Sequence, residues 1–185
     1  MSFHTWIVVG LVVLLLLFAV VYFNRFVRAA NRVDNAWAQI DVQLKRRTDL
    51  VPNLVETVKG YASHERQVLE NVTKARSAIM TAKSPQEAMD ADNMLTGALK
   101  SLFAVSENYP QLKANTNFLQ LQDELTHTEN KIGFARQFFN DSVRDYNNAV
   151  ESFPGLVFAG VYGRKKRDLL TTPEAERAVP KVSFG

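Results

Sequence analysis

From Trp6 to Phe23 every residue is apolar except Gly10, and none carries a charge. As a helix rising 1.5 Å per residue, that stretch reaches about 27 Å, close to the hydrocarbon thickness of a bilayer. Trp6 and Tyr22 stand at its two ends, where amphipathic rings favour the headgroup level. The pattern predicts a transmembrane helix over residues 6–23. A cleavable signal peptide fits less well. Met1–Thr5 has no Lys or Arg, no small-x-small cleavage site follows, and the helical pattern runs on through Asn24 and Arg25. The flanking cations, Arg25, Arg28 and Arg32 and then Lys45, Arg46 and Arg47, all lie on the C-terminal side. Because Lys and Arg resist translocation, residues 1–5 are expected to cross the membrane as a short tail, leaving the long C-terminal part in the cytoplasm.

Beyond residue 24 the apolar positions recur three and four apart, the spacing of amphipathic helices. Val33, Trp37, Ile40, Leu44 and Val51 mark a first helix that continues the span. Pro52 is expected to end or kink it, since proline lacks an N–H and disfavours helical geometry in Val51. Leu54, Val55, Val58, Ala62, Leu69, Val72 and Ile79 form a second stripe, to about Ala82. Ser84-Pro85-Gln86-Glu87 then supplies an N-cap, a first-turn proline and the acid of a capping box. A third stripe, Ala88, Ala91, Leu95, Ala98, Leu102 and Val105, stops near Asn108–Pro110.

The fourth helix should start at residues 115–117. Phe118, Leu125, Ile132, Phe139, Tyr146 and Phe153 fall seven apart, with Leu121, Thr128, Ala135, Ser142 and Ala149 between them. Such a seam calls for left-handed supercoiling against other helices. Pro154-Gly155 terminates it, and strand-like alternation is absent throughout. The fold class is all-α, an N-terminal transmembrane helix followed by an antiparallel bundle of about four long helices. The expected organisation is a tail at 1–5, a span at 6–23, a helical bundle at 24–153 and a C-terminal tail at 154–185.

Up-and-down topology returns the chain to the inner membrane surface after Phe153. There the sequence reads Leu156–Tyr162, all apolar or glycine, and then Gly163 and the basic segment Arg164, Lys165, Lys166 and Arg167. These four cations are the candidate membrane-surface contacts, each worth ~1 kcal/mol beside anionic lipid. The competing reading is a short helix folded onto the bundle end with a solvated basic patch. At about 38 residues against about 23 for the third, the fourth helix outlasts its neighbours. Its excess length can pack on the tail, lie near the bilayer or mediate self-association.

Composition narrows the chemistry. Apolar residues make up 46%, enough for a core beyond the span, and few Gly and Pro argue against disorder. The absence of Cys removes disulfides, thiol nucleophiles and thiolate metal sites. A net charge of +3 with acids and bases interspersed lacks the clustered charge of a nucleic-acid binder. Glu124-x-x-His127 is a single Glu-x-x-His pattern, whereas a di-iron site needs two such motifs and two further glutamates. His4 lies in the tail, and His64 and His127 have no evident serine–acid partners. No Gly-x-Ser-x-Gly elbow or phosphate-binding loop is present. Asn71-Val72-Thr73 and Asn140-Asp141-Ser142 match the glycosylation sequon but fall inside predicted helices. No catalytic, cofactor-binding or metal-ligating residue is assigned, and no cofactor or enzymatic activity is expected.

Two long blocks, Asn31–Arg47 and Asp49–Tyr61, resemble the LemA family. The resemblance resumes at Glu107–Asn115 and Phe138–Asn147, and closes with Phe153-Pro154 and Val179–Phe184. It implies a bacterial membrane protein with one N-terminal span, a cytoplasmic helical domain and no established enzymatic activity. It brings no catalytic or binding residues with it. Polar residues crowd the core stripes of these blocks, and Asn35 and Asn140 are the expected interhelical hydrogen-bonding pair of sites. The expected role is a single-pass, membrane-anchored scaffold or interaction protein of the bacterial inner membrane, N-terminus outside and C-terminal domain cytoplasmic. The alternative is a signalling or envelope-stress adaptor regulating another membrane protein. The expected partners are the lipid bilayer and either a second copy or another inner-membrane protein, with no nucleic acid.

Overall fold

In a computed structural model, residues 3–171 are described. They form α1 (Phe3–Lys59), α2 (Arg66–Thr81), α3 (Pro85–Ser106), α4 (Pro110–Lys113), α5 (Thr116–Glu151) and α6 (Gly155–Val161). Every element among the described residues is a helix, and the chain is all-α. Met1 and Ser2 of the expected tail, and the closing Val179–Phe184 motif, lie outside the described residues.

The first helix does not stop at Pro52. It continues to Lys59 with the proline inside it. Proline at position 52 takes away the N–H that would bond the carbonyl of Thr48, four residues earlier. Thr48 is buried, so its carbonyl would lose water as well. Arg76 of α2 supplies the missing donor: its Nε lies 2.8 Å from the Thr48 oxygen. The proline is therefore accommodated by a side chain 24 residues further along, which sequence spacing alone does not reveal. The break falls instead at Gly60–Glu65, between α1 and α2. It divides the predicted second stripe, with Leu54, Val55 and Val58 on α1, Ala62 in the turn, and Leu69 and Val72 on α2, all buried.

Other boundaries follow the local chemistry. Ser84 Oγ accepts from the Glu87 backbone N–H, and the Glu87 carboxylate accepts in return from the N–H of Lys83, one residue before the cap. Pro85 opens α3. Asn115 Oδ1 accepts from the Phe118 N–H and caps α5. The single turn of α4, opened by Pro110, is an element the apolar spacing did not signal.

The described residues form two compact units: 3–43 with 131–169, and 44–130 with 170–171. In the second unit the end of α1, the start of α5 and α2–α4 surround one core that includes Leu54, Val58, Val72, Leu95, Leu102, Phe118 and Leu125. Inside it sits an ion cluster. Arg47 is only 1% exposed. Its Nη1 donates to Asp92 Oδ1 at 2.6 Å and its Nη2 to Glu129 Oε2 at 3.4 Å, tying α1 to α3 and α5. Asp92 is also buried, whereas the Glu129 side chain is 45% exposed, so Asp92 is the partner that compensates the desolvated guanidinium.

In the first unit Val33, Ala36 and Ile40 of α1 and Ile132, Phe139, Val143 and Tyr146 of α5 are buried. Trp37 meets Phe139 edge to face, and Arg32 pairs with Asp145 at 3.3 Å. The seven-residue seam of α5 is buried from Phe118 to Tyr146, but Phe153, past the helix end, is 84% exposed. The excess of α5 over α3 is thus spent on α1 and on the chain that follows α6. Asn35 is exposed and does not form the expected interhelical bond. It lies between the buried Val33 and Ala36, a hundred-degree step off the stripe.

Three outcomes are expected. Arg76→Met leaves a buried carbonyl without a donor and should cost about 1–3 kcal/mol in urea unfolding of the detergent-solubilised chain. The cost should shrink in a Pro52→Ala background, where the restored N–H serves Thr48, and a double-mutant cycle reads that coupling. Arg47→Met strands Asp92 and should cost about 3–5 kcal/mol, much of it recovered in Arg47→Met/Asp92→Leu. At Tyr109 the hydroxyl donates to Glu65 Oε1 at 3.0 Å. That bond, then burial and the carboxylate's charge, raises the phenol pKa above its ordinary value. The folded chain then keeps this proton to higher pH than the unfolded one, so the stabilisation is full below about pH 10 and lost as pH rises through the folded value. The stability difference between wild type and Glu65→Gln should hold constant up to there and shrink above it.

Candidate membrane-surface site

The site is assembled where the apolar part of α1 ends. Residues Trp6–Val21 are exposed apart from a half-covered Ala19, and an 18-residue window there has a mean hydropathy of 3.0 with none of it buried. At its C-terminal end the chain returns. Tyr22 stacks on Phe158 of α6, centroids 5.2 Å apart, and Phe23 and Phe26 meet the Tyr162 ring edge on. The Tyr162 hydroxyl donates to the Ala19 carbonyl at 2.9 Å.

Two glycines permit this approach. A Cβ on Gly155 would lie 2.2 Å from the Ala149 carbonyl oxygen, so only glycine lets α6 start so close to the end of α5. Gly163 adopts φ +63°, and it ends α6 with paired bonds, Gly163 N–H to Gly160 O and Arg164 N–H to Ala159 O. This is the left-handed glycine cap that sends the chain out of a helix.

The four predicted contact residues follow directly, and the structure separates them. Arg167 is tied down: its backbone N–H and carbonyl pair with the carboxamide of Asn147, its guanidinium pairs with Asp34, and it lies over the Tyr146 ring. Lys166 pairs with Glu151 at 2.9 Å. That carboxylate, by its hydrogen bond first and its charge second, holds the Lys166 ammonium above the usual lysine range. Lys165 is exposed and enters no ion pair among the described residues. Arg164 is half-buried, and its Nε meets no acceptor among the described residues. Arg25, over the Tyr22 ring, and Arg28 stand exposed nearby on the same stretch of α1.

Sequence reasoning missed the aromatic seat made by Tyr22, Phe158 and Tyr162. The available signal was a seven-residue segment, Gly155–Val161, with no polar side chain. It also missed Asn147 and Asp34, polar residues whose partners lie more than a hundred positions away or in an irregular segment. The Glu-x-x-His residues do not converge. Glu124 pairs with Arg46 at 3.2 Å and His127 with Asp123 at 3.5 Å. Elsewhere in the first unit an open groove of about 580 Å³ is lined by Val42, Gln43, Lys131, Phe134 and Phe138.

Curated relatives are similar over most of the chain. Protein LemA of Metamycoplasma hominis is 29% identical over 139 residues, covering 73% of this chain and 59% of the relative. Magnetosome protein MamQ of Magnetospirillum gryphiswaldense is 22% identical over 170 residues, covering 78% of this chain and 62% of the relative. The chain thus spans about three fifths of the length of the curated relatives it matches. The family model for LemA matches residues 36–184, and the chain belongs to the LemA family.

Proposed function

We propose that this protein is a single-pass, membrane-anchored helical scaffold of the bacterial inner membrane, its helical part on the cytoplasmic side and no catalytic step of its own. One observation carries the reading: the apolar half of α1 is left bare by the rest of the chain. Leaving Val, Leu, Ile and Phe side chains in water at about 1.5–3 kcal/mol each adds up to tens of kcal/mol. That exceeds the whole stability of an ordinary domain, about 5–15 kcal/mol, so the stretch needs an apolar solvent. Lipid supplies it.

Orientation is supported by Arg25 and Arg28, exposed just past the apolar stretch, and by the basic run that returns to the same end. Electrostatic attraction to lipid is smaller than the sequence suggests. With Lys166 and Arg167 paired to Glu151 and Asp34, the run offers Arg164 and Lys165, about 2 kcal/mol in place of about four. A signalling adaptor is the second reading, supported by the continuity of α1 from the span into the helical core.

Single cysteines settle the topology, since the chain has none of its own. On intact cells an impermeant thiol reagent should label Ser2→Cys and spare Ser183→Cys; the reverse pattern overturns the orientation. Recovery of one partner at constant stoichiometry from detergent extracts supports the scaffold. Recovery that changes with envelope stress supports the adaptor.

A further inference from the structure

We infer that α6, with Phe153 before it, is a second membrane-embedded element, a short wedge seated in the headgroup–acyl boundary of the leaflet next to Asn24. The inference rests on reading residues 6–23 as a span. From Gly155 to Val161 no side chain is polar, and a helix apolar all round belongs in a core or in lipid. Only one of its faces has a core. Gly155 and Ala159 are buried and Phe158 is stacked on Tyr22. The other face, Leu156, Val157 and Val161 together with Phe153, is more than half exposed at every residue.

What covers that face follows from depth. The Tyr162 hydroxyl bonds the carbonyl of Ala19, which lies about five residues, ~7 Å, inside the apolar stretch from Asn24. A residue bonded at that level shares the lipid depth of its partner, and helices lying in the interface bury their apolar face ~5–10 Å deep. The bare face of α6 is thus continuous with the bare surface of the span, so lipid covers both. The same placement explains the hydroxyl bond, because a phenol at that depth has little water to satisfy it. Gly163 then turns the chain back toward Arg164 and Lys165, whose charges suit the headgroup level.

The test uses the full chain in mixed phosphatidylcholine–phosphatidylglycerol vesicles, with an environment-sensitive fluorophore on Val161→Cys. Leu14→Cys reports the span, and Ser101→Cys on exposed α3 surface reports water. The Val161 probe should emit to the blue of the Ser101 probe and be quenched about threefold more by lipid spin-labelled near the headgroup than the Ser101 probe is. Leu156→Cys, on the same face, should repeat the result if Val161→Cys perturbs folding. Emission as in water, with quenching by iodide, overturns the wedge while a lipid-quenched Leu14 probe keeps the span. A blue-shifted Val161 probe that lipid does not quench overturns it too, in favour of a second copy covering the face. A Leu14 probe that lipid does not quench removes the span reading, and the wedge with it.

Discussion

One backbone carbonyl decides how α1 is built. Proline at position 52 leaves the Thr48 oxygen without its helical donor, and the oxygen is buried. Unrepaired, this would be a helix end or a costly orphan. The Arg76 guanidinium makes the repair from α2, and only then can Leu54, Val55 and Val58 remain on the same helix as Leu44 and Val51. The core of the second unit is laid out on that continuity. Helix α1 is thus held through its proline by tertiary structure rather than by its own propensity, as is usual for helices in proteins.

The second unit also carries a polar cost at its centre. Burying Arg47 and Asp92 removes two charges from water, and such pairs often contribute little net stability compared with an apolar pair of the same shape. Their effect is better described as exclusion of alternatives. A helix register that separates the guanidinium from Asp92 would leave both charges desolvated and unpaired. Glu129, half in water, adds a third helix to the pairing at lower cost.

At the other end of α1 the physics changes because the solvent changes. Side chains of the apolar stretch gain nothing from packing on their own chain, and almost all of them are left bare. The aromatic seat of Tyr22, Phe158 and Tyr162 is where protein packing begins. Past it, the cations divide between two tasks. Arg167 and Lys166 fasten the segment after α6 to the helices, while Lys165 stays available to the surroundings. A run of four like charges in sequence therefore does not act as four in space.

Periodicity was enough to establish the helical class, the apolar stretch of α1, the cap of α3 at Ser84, the start of α5 beside Asn115 and the α5 seam as far as Tyr146. Each of these rests on residues within about a turn of one another, so their physical causes are local. The passage of α1 through Pro52, the seating of α6 against Tyr22 and the pairing of Arg167 with Asp34 depend on residues brought together from distant parts of the chain. Sequence spacing carries no information on such partners. Asn35 and Asn147 make the point: both are polar residues flanking a core stripe, yet one is exposed and the other clamps the Arg167 backbone. Which of them finds a partner was decided by where the chain after α6 comes to rest, and that is a property of the folded structure alone.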